Sequence, residues 1–263
     1  MNKLKMMVVA SIASTSMMAM TPAHADLCSD VSYADFQTAA KDAYVDTNSL
    51  GFQFPMWATL MNAAGKVCHV YSVKGGDTPV DNGGFSSSNN AWLLSRIISA
   101  QKANTANGLS IQALSISTGA VSVATYPGGS LYGLQHSNPV DTAVAYAGSP
   151  GDFGTAADPL AGTFPGGVNV FGGGVALYTA GGYKRGAVGV SGDSSCRDHA
   201  MAYRLRIELG LDNQPNDDGL ALTAVPAGLF EQPFCGNGEE SVAYPDGDSS
   251  PADLGIRPDP NAT

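Results

Sequence analysis

Charge is scarce in this chain. Of 263 residues only 14% are Asp, Glu, Lys or Arg, with 13 basic side chains against 23 acidic ones and a formal net charge of −10. The basic residues form no cluster, and phosphate neutralisation needs one, so a nucleic-acid partner is excluded. Beyond the first 20 residues no apolar run approaches the length of a membrane span. Only four cysteines occur, and none stands in C-x-x-C or C-x-x-C-H, which excludes a thioredoxin-type dithiol and covalent c-type haem. The standard catalytic signatures are missing as well. Gly189-Val190-Ser191-Gly192 starts like a nucleophile elbow but continues with Asp193 where Gly is required. Phe171, not His, precedes Gly172-Gly173-Gly174. There is no phosphate loop, dinucleotide turn or H-E-x-x-H. Asp246-Gly247-Asp248-Ser249-Ser250-Pro251 begins like a calcium loop but has Pro251 where the sharp turn needs Gly.

What the chain has is 44% hydrophobic residues, 32 Gly and 15 Pro, the composition of a folded, turn-rich protein. Residues 1–25 read as an export signal. Lys3 and Lys5 are its basic region, residues 6–20 its apolar stretch, and Ala23-His24-Ala25 its cleavage signature. Cleavage after Ala25 takes both lysines away and moves the net charge from −10 to −12. The expected location is periplasmic or extracellular. In that oxidising setting Cys28, Cys68, Cys196 and Cys235 form two disulfides. Three pairings satisfy the count. We favour Cys28 with Cys68 and Cys196 with Cys235, which would staple an N-terminal arm and a C-terminal tail onto the core.

Helical spacing of Phe36, Ala39, Ala40, Ala43 and Tyr44 predicts a helix over residues 32–44, capped by Ser32 with Asp35. Residues 54–61 and 67–73 read as a strand pair turning at Asn62-Ala63-Ala64-Gly65. A loop over 75–88 leads to a helix over 91–107, with Asn89 or Asn90 as cap and Leu94, Ile97 and Ile98 buried. Residues 109–123 read as one or two strands. Residues 126–166 form a long irregular loop, which in a compact domain is usually functional. Strands follow at 168–171, 175–178 and 183–190, then a helix from Asp193 or Ser194 to about Leu209. This order predicts an α+β fold, an antiparallel sheet flanked by helices. A single domain is expected over 26–235, with a long insertion at about 125–166 and an acidic, Pro-rich tail over 236–263.

His69 lies mid-strand on a face shared with Val67 and Tyr71, and His199 follows Asp198 near a helix start. Both read as structural. His136 ends a glycine-rich stretch that also carries Tyr126 and Tyr132. Imidazole and phenolate are both axial ligands of haem iron, and such a loop can present them to a flat cofactor.

Residues 172–178, then Gly182-Tyr183-Lys184-Arg185-Gly186-Ala187-Val188-Gly189-Val190-Ser191-Gly192, then Arg197-Asp198-His199-Ala200 resemble the closing signature of the GlcG/HbpS family. That family includes the C-terminal domain of PduO-type proteins. The helix at 32–44, the turn at Gly65-Lys66 and the helix with Ala91-Trp92 are similar too. The resemblance implies a compact α+β domain, a homo-oligomer and non-covalent binding of haem b or a related tetrapyrrole. It also implies, for exported members, service to a sensor kinase and protection against redox stress. The long 125–166 segment, the four cysteines and the acidic tail depart from the usual short form.

The family has no uniform haem ligand, so His136 and Tyr132, with Tyr126 beside them, are assigned on their own chemistry. Ser191 and Gly192 before a helix offer N–H groups for a cofactor propionate, and Arg197 a charge-assisted contact; alternatively Asp193 simply caps that helix. Asp198 and His199 read either as a surface iron site or as a solvated pair. The leading function is an exported haem-binding protein without turnover. The alternatives are a haem-degrading or peroxidase-like enzyme, or an assembly module for an exported or membrane sensor partner.

Overall fold

Asp26 opens the described part of the chain. In this computed structural model residues 26–47, 49–73, 92–223, 231–233, 235 and 256–257 are described. The expected signal at 1–25, the 75–88 loop, Asn89, Asn90, the 246–251 segment and all of the 236–263 tail except 256–257 lie outside the described residues. The Asp26 carboxylate accepts the Cys28 N–H and caps a single-turn helix, α1 (Leu27–Asp30). Ser32 caps α2 (Tyr33–Asp46) by accepting the Asp35 N–H, and its hydroxyl donates to the Asp35 carboxylate at 2.6 Å. The buried stripe of α2 is the one its spacing predicts: Phe36, Ala39, Ala40, Ala43 and Tyr44.

Strands β1 (Met56–Asn62) and β2 (Val67–Val73) form the expected hairpin. Asn62 Oδ1 accepts the N–H groups of Ala64 and Lys66 across the turn, and Gly65 supplies its positive φ of 88°. Next come α3 (Leu93–Leu109), α4 (Leu134–Ser137) and α5 (Thr142–Ala145), then β3 (Gly174–Tyr178), β4 (Lys184–Ser191) and α6 (Ser195–Glu208). The main sheet is antiparallel throughout, in the order β2-β1-β4-β3. A second, small sheet is parallel: β5 (Leu220–Thr223) lies between β6 (Glu231–Pro233) and β7 (Ile256–Arg257). The fold is therefore α+β, an antiparallel sheet flanked by helices.

Both faces of the main sheet are covered. Helices α2 and α6 close one face, where Phe36, Ala58, Leu60, Tyr71, Val188 and Leu205 share a core. Helix α3 closes the other with Trp57, Met61, Val70, Ile97 and Ala103, joined by Phe153 and Leu160 of the long 126–166 segment. Every residue of β1 is buried in consequence, and the strand has no polar alternation.

Three expectations need correction. Residues 109–123 make no strand of the sheet; they run through an isolated Ile111–Leu114 bridge into two 3-10 turns, Gly119–Val121 and Val123–Thr125. Residues 168–171 join no strand; Val168 and Asn169 donate their N–H groups to the Asn138 carbonyl and the Thr105 hydroxyl instead. Leu94 is exposed, whereas the buried face of α3 is polar and small: Arg96, Ser99, Lys102, Ala103 and Ala106 among others. A smaller shift affects β2. Leu60 pairs with His69 and Met61 with Val67, so Cys68 is an extra residue and Val67 packs on the α3 face, away from His69 and Tyr71.

Small residues on α3 meet glycines on the sheet. A Cβ at Gly189 would stand 2.0 Å from the Ser99 carbonyl oxygen and 2.5 Å from Ala103 N, and one at Gly174 2.5 Å from the Lys102 carbonyl. The helix thus lies in backbone contact with β3 and β4. Thr59 and Ser99 close the seam with a buried hydroxyl pair at 2.7 Å.

Buried charge pairs fix the loops to this frame. Arg96 forks onto Asp158, donates Nη1 to the Ala145 carbonyl, and has its guanidinium 3.9 Å from the Phe153 ring centroid. Asp158 also accepts from Gly154 N and Leu160 N, so one ion pair folds residues 145–160 onto α3. Arg206 on α6 forks onto Asp218 at 2.7 and 2.9 Å, and Ser115 donates to the same carboxylate. Burial opposes the charge on Asp218, but Arg206 and the Ser115 hydroxyl outweigh it and hold the carboxyl below its ordinary range. Disulfides Cys28–Cys68 and Cys196–Cys235 add covalent ties, joining α1 to β2 and the start of α6 to the chain just after β6.

Gly189→Ala forces a methyl into the α3 backbone and is expected to lower stability by about 1–3 kcal/mol or more; a wild-type midpoint in chemical denaturation would refute the close-contact account. A carboxyl with a lowered pKa stabilises the fold above its ordinary value of 3.8 and loses that contribution as pH falls through the depressed value. Asp218→Asn is expected to cost about 3–5 kcal/mol near pH 7 by stranding Arg206. It should also flatten the stability profile below pH 3.8. An equally steep acid profile in the variant would assign the loss to other carboxylates.

Candidate functional site

The glycine-rich signature converges on the start of α6. Strand β4 ends at Ser191, which pairs with Trp57 in the ladder and is buried. Gly192 turns the chain with φ 147°, and a Cβ there would meet the Pro55 carbonyl oxygen at 2.5 Å. Ser194 caps α6 by accepting the Arg197 N–H. Asp193 does something else. Its Oδ1 accepts from Phe52 N at 2.8 Å and Ser194 N at 2.6 Å; its Oδ2 accepts from Phe54 N at 2.8 Å and Arg197 Nη1 at 3.0 Å. Arg197 is buried, with its guanidinium 4.6 Å from the Tyr44 ring centroid. Where a ligand carboxylate was expected beside Ser191, Gly192 and Arg197, the chain's own Asp193 is seated.

Asp198 and His199 are both buried rather than at the surface. Asp198 accepts the Asp193 N–H on one oxygen and Lys102 Nζ on the other, at 2.9 and 2.7 Å. Lys102 crosses from α3, also donates to the Val190 carbonyl, and lies 4.9 Å from the Phe171 ring centroid. Burial pushes the Asp198 carboxyl up to about 6, against the pull of Lys102. The same burial lowers the Lys102 ammonium. A Cβ at Gly173 would meet Lys102 Nζ at 2.9 Å, so that glycine makes room for the ammonium. The His199 ring lies 6.0 Å from that of Tyr203. Among the described residues no group of three or more His, Cys, Asp or Glu side chains is placed to hold a metal ion.

His136 has a different environment. It sits in α4, which Gly133 begins in the left-handed conformation at φ 90°. The lobe before it is tied by local hydrogen bonds, Leu131 N to the Ala124 carbonyl and Gly129 N to the Tyr126 carbonyl. His136, Tyr132 and Tyr126 all expose their side chains, Tyr132 by 64%. His69, by contrast, is half-buried with Nε2 2.8 Å from the Val31 carbonyl oxygen, and His199 is enclosed. Among the described residues His136 is therefore the one histidine open to an incoming ligand. The structure places Tyr126, Tyr132 and His136 on one lobe and Ser191, Gly192, Arg197, Asp198 and His199 at the buried start of α6.

One surface escaped the sequence reading. Phe52 and Phe54 stack with centroids 5.4 Å apart and an interplanar angle of 22°, and Trp92 lies 5.4 Å from Phe54. All three are exposed. The signal was the stretch Gly51-Phe52-Gln53-Phe54-Pro55, whose two aromatics flank a polar residue directly before a strand.

Residues 83–205, 123 of the 263, match the family model HbpS-like, described as haem degrading protein HbpS-like. No curated protein sequence matches the chain. Solved structures similar to it include a PduOC–heme complex, at 21% identity over 70% of this chain and 98% of that one, with a TM-score of 0.44. Another is Klebsiella pneumoniae protein ORFY, at 21% identity over 68% and 89%, with a TM-score of 0.42. A double mutant of Streptomyces reticuli HbpS is similar at 17% identity over 77% and 99%, with a TM-score of 0.39. The segment from before α3 to within α6 thus carries an HbpS-like match, within a chain similar at low identity to PduOC and HbpS.

Proposed function

We propose that this protein handles haem: it binds haem b or a related tetrapyrrole non-covalently and degrades it. The observation that carries the binding half is the open imidazole of His136 on a lobe that also exposes Tyr132 and Tyr126. These donors fit haem iron, and the family match supports the ligand. His136 is the proposed axial ligand, with Tyr132 and then Tyr126 as the phenolates within the same lobe. The family description, a haem degrading protein, supports turnover over carriage alone. Haem iron supplies the oxidative chemistry when bound, with dioxygen and an added reductant, or peroxide, as the oxidant. The chain's own part is to hold the macrocycle.

The second reading is an exported carrier or sensor accessory without turnover. The lobe's exposure favours it, because a solvent-facing ligand is easily handed to a partner. Export by residues 1–25, a homo-oligomer, and an exported or membrane sensor partner belong to this proposal. Among the described residues no helix is long and apolar enough to cross a membrane.

Haemin added to the oxidised protein should give a shifted Soret band that saturates near one haem per chain. His136→Ala should weaken binding and move that band; an unchanged spectrum in both His136→Ala and Tyr132→Phe would place the ligand elsewhere. Loss of haem absorbance over many equivalents, with ascorbate in air or with peroxide, establishes degradation. A stable Soret band under the same conditions supports the carrier.

A further inference from the structure

The two disulfides are alike in access and unlike in surroundings. Each pairs an enclosed cysteine with a half-buried one: Cys68 and Cys196 are enclosed, Cys28 and Cys235 half-buried. An external thiolate therefore meets Cys28 or Cys235 first and expels Cys68 or Cys196. Exchange is faster the better the leaving thiolate is stabilised, so the surroundings of the enclosed sulfur decide which bridge yields.

At the first bridge Cys68 Sγ lies 3.9 Å from the Lys66 carbonyl oxygen. A thiolate formed there would face an oxygen lone pair. The Cys28 N–H is already given to the Asp26 carboxylate. The second bridge is set against donors instead. Cys196 is the second residue of α6, a helix of 14 residues, and the first N–H groups of a helix have no partner within it. The Cys196 N–H is one of these, and it is directed at Cys235 Sγ, 3.2 Å away. Gln232 Nε2 lies 3.4 Å from Cys196 Sγ and 3.7 Å from Cys235 Sγ. Gln232 is enclosed and fixed, with Oε1 accepting the Gly172 N–H at 3.2 Å and Nε2 donating to Ser195 Oγ at 2.9 Å. That bond leaves the Ser195 hydroxyl proton free for Cys235 Sγ at 3.5 Å. Helix starts favour the thiolate form of a cysteine. Negative charge on either sulfur of this bridge is met by donors already in place.

The geometry points to Cys196–Cys235 as a thiol-exchange site, at which Cys235 takes a low-molecular-weight thiol as a mixed disulfide, and to Cys28–Cys68 as the inert structural bridge. The incoming thiolate attacks Cys235 Sγ and forms the new S–S bond. The old bond breaks, and its electron pair leaves on Cys196 Sγ, beside the start of α6 and the Gln232 amide. A second thiolate attacks the small-molecule sulfur of the mixed disulfide and releases Cys235 as a thiolate facing the Cys196 N–H. Two small thiols are then joined as their own disulfide, and the bridge has gained two electrons. The exchange needs no haem. It opens the ring that spans residues 196–235, which carries Asp218, β5 and β6.

Reduced glutathione is added to the oxidised full chain without denaturant, quenched at intervals with N-ethylmaleimide, and the products are mapped by peptide mass spectrometry. The first product should carry glutathione on Cys235 and maleimide on Cys196, with Cys28–Cys68 intact. It should form about tenfold or more faster than any product at Cys28 or Cys68. Gln232→Leu should slow that step about threefold or more and leave the rate at Cys28–Cys68 unchanged, with circular dichroism as the control for folding. The comparison of the two bridges in the wild-type chain holds whether or not this variant folds. Equal rates at the two bridges, earlier opening of Cys28–Cys68, or glutathione on Cys196 would overturn the inference. So would a rate at Cys196–Cys235 that rises with urea in step with global unfolding, because reduction would then belong to the unfolded chain.

Discussion

The distance between α3 and the sheet decides most of this structure. A helix packed on ordinary side chains keeps its axis 8–10 Å from its neighbour, but here glycines remove the spacer. With Gly174 and Gly189 beneath it, α3 rests its backbone on the backbones of β3 and β4. Its inward face must then be small or must send long side chains elsewhere. Ser99, Ala103 and Ala106 satisfy the first requirement; Arg96 and Lys102 satisfy the second, reaching Asp158 and Asp198 at positions 62 and 96 residues further along the chain. The close approach therefore determines which residues of the long 126–166 segment are captured and how the start of α6 is set.

Scarce charge acquires a meaning in this frame. Of the 11 lysines and arginines that follow residue 25, Arg96, Lys102, Arg197 and Arg206 are fully enclosed, each against an aspartate. Exposed pairs contribute little, whereas removing one partner of an enclosed pair leaves a stranded charge. Three of the four join a helix to a loop or turn, and Lys102 joins α3 to Asp198 of α6. These four basic residues serve as internal rivets and not as part of a solvated coat. They also clamp the surface chemistry: Arg197 acts through Asp193 on the backbone that presents Phe52 and Phe54.

Elements with strong local signals were legible in the sequence. The α2 stripe and the β1–β2 hairpin follow from spacing and turn chemistry, and so does the α+β arrangement; the cap of α6 was narrowed to Asp193 or Ser194, and the fold selects Ser194. The misread elements share a cause. Helix α3 hides a polar, small-residue face because its neighbours are glycines, and no hydropathy pattern announces that. Residues 168–171 have strand-like composition, yet their N–H groups are claimed by Asn138 and Thr105 from outside the sheet. At the candidate site the sequence could single out His136 only by donor type, because few residue types ligate haem iron; that its side chain is exposed is a property of the fold. The anion reading of Arg197 was not decidable, since its counter-ion Asp193 is equally good as a cap, a ligand substitute or a loop clamp until the fold shows Phe52 and Phe54 above it. The exposed cluster of Phe52, Phe54 and Trp92 was invisible because exposure is a tertiary property.

The two disulfides close rings that neither overlap nor nest: one joins residues 40 apart near the beginning of the described chain, the other residues 39 apart toward its end. Between Cys68 and Cys196 the chain is free of crosslinks, and that stretch contains α3, the long loop, β3 and β4. Each bridge can form without waiting for the other, so oxidation imposes no threading order on assembly. The glycine-seated helix can come together with β3 and β4 as an uncrosslinked unit, while β1 lies within the first ring and β2 carries one of its cysteines.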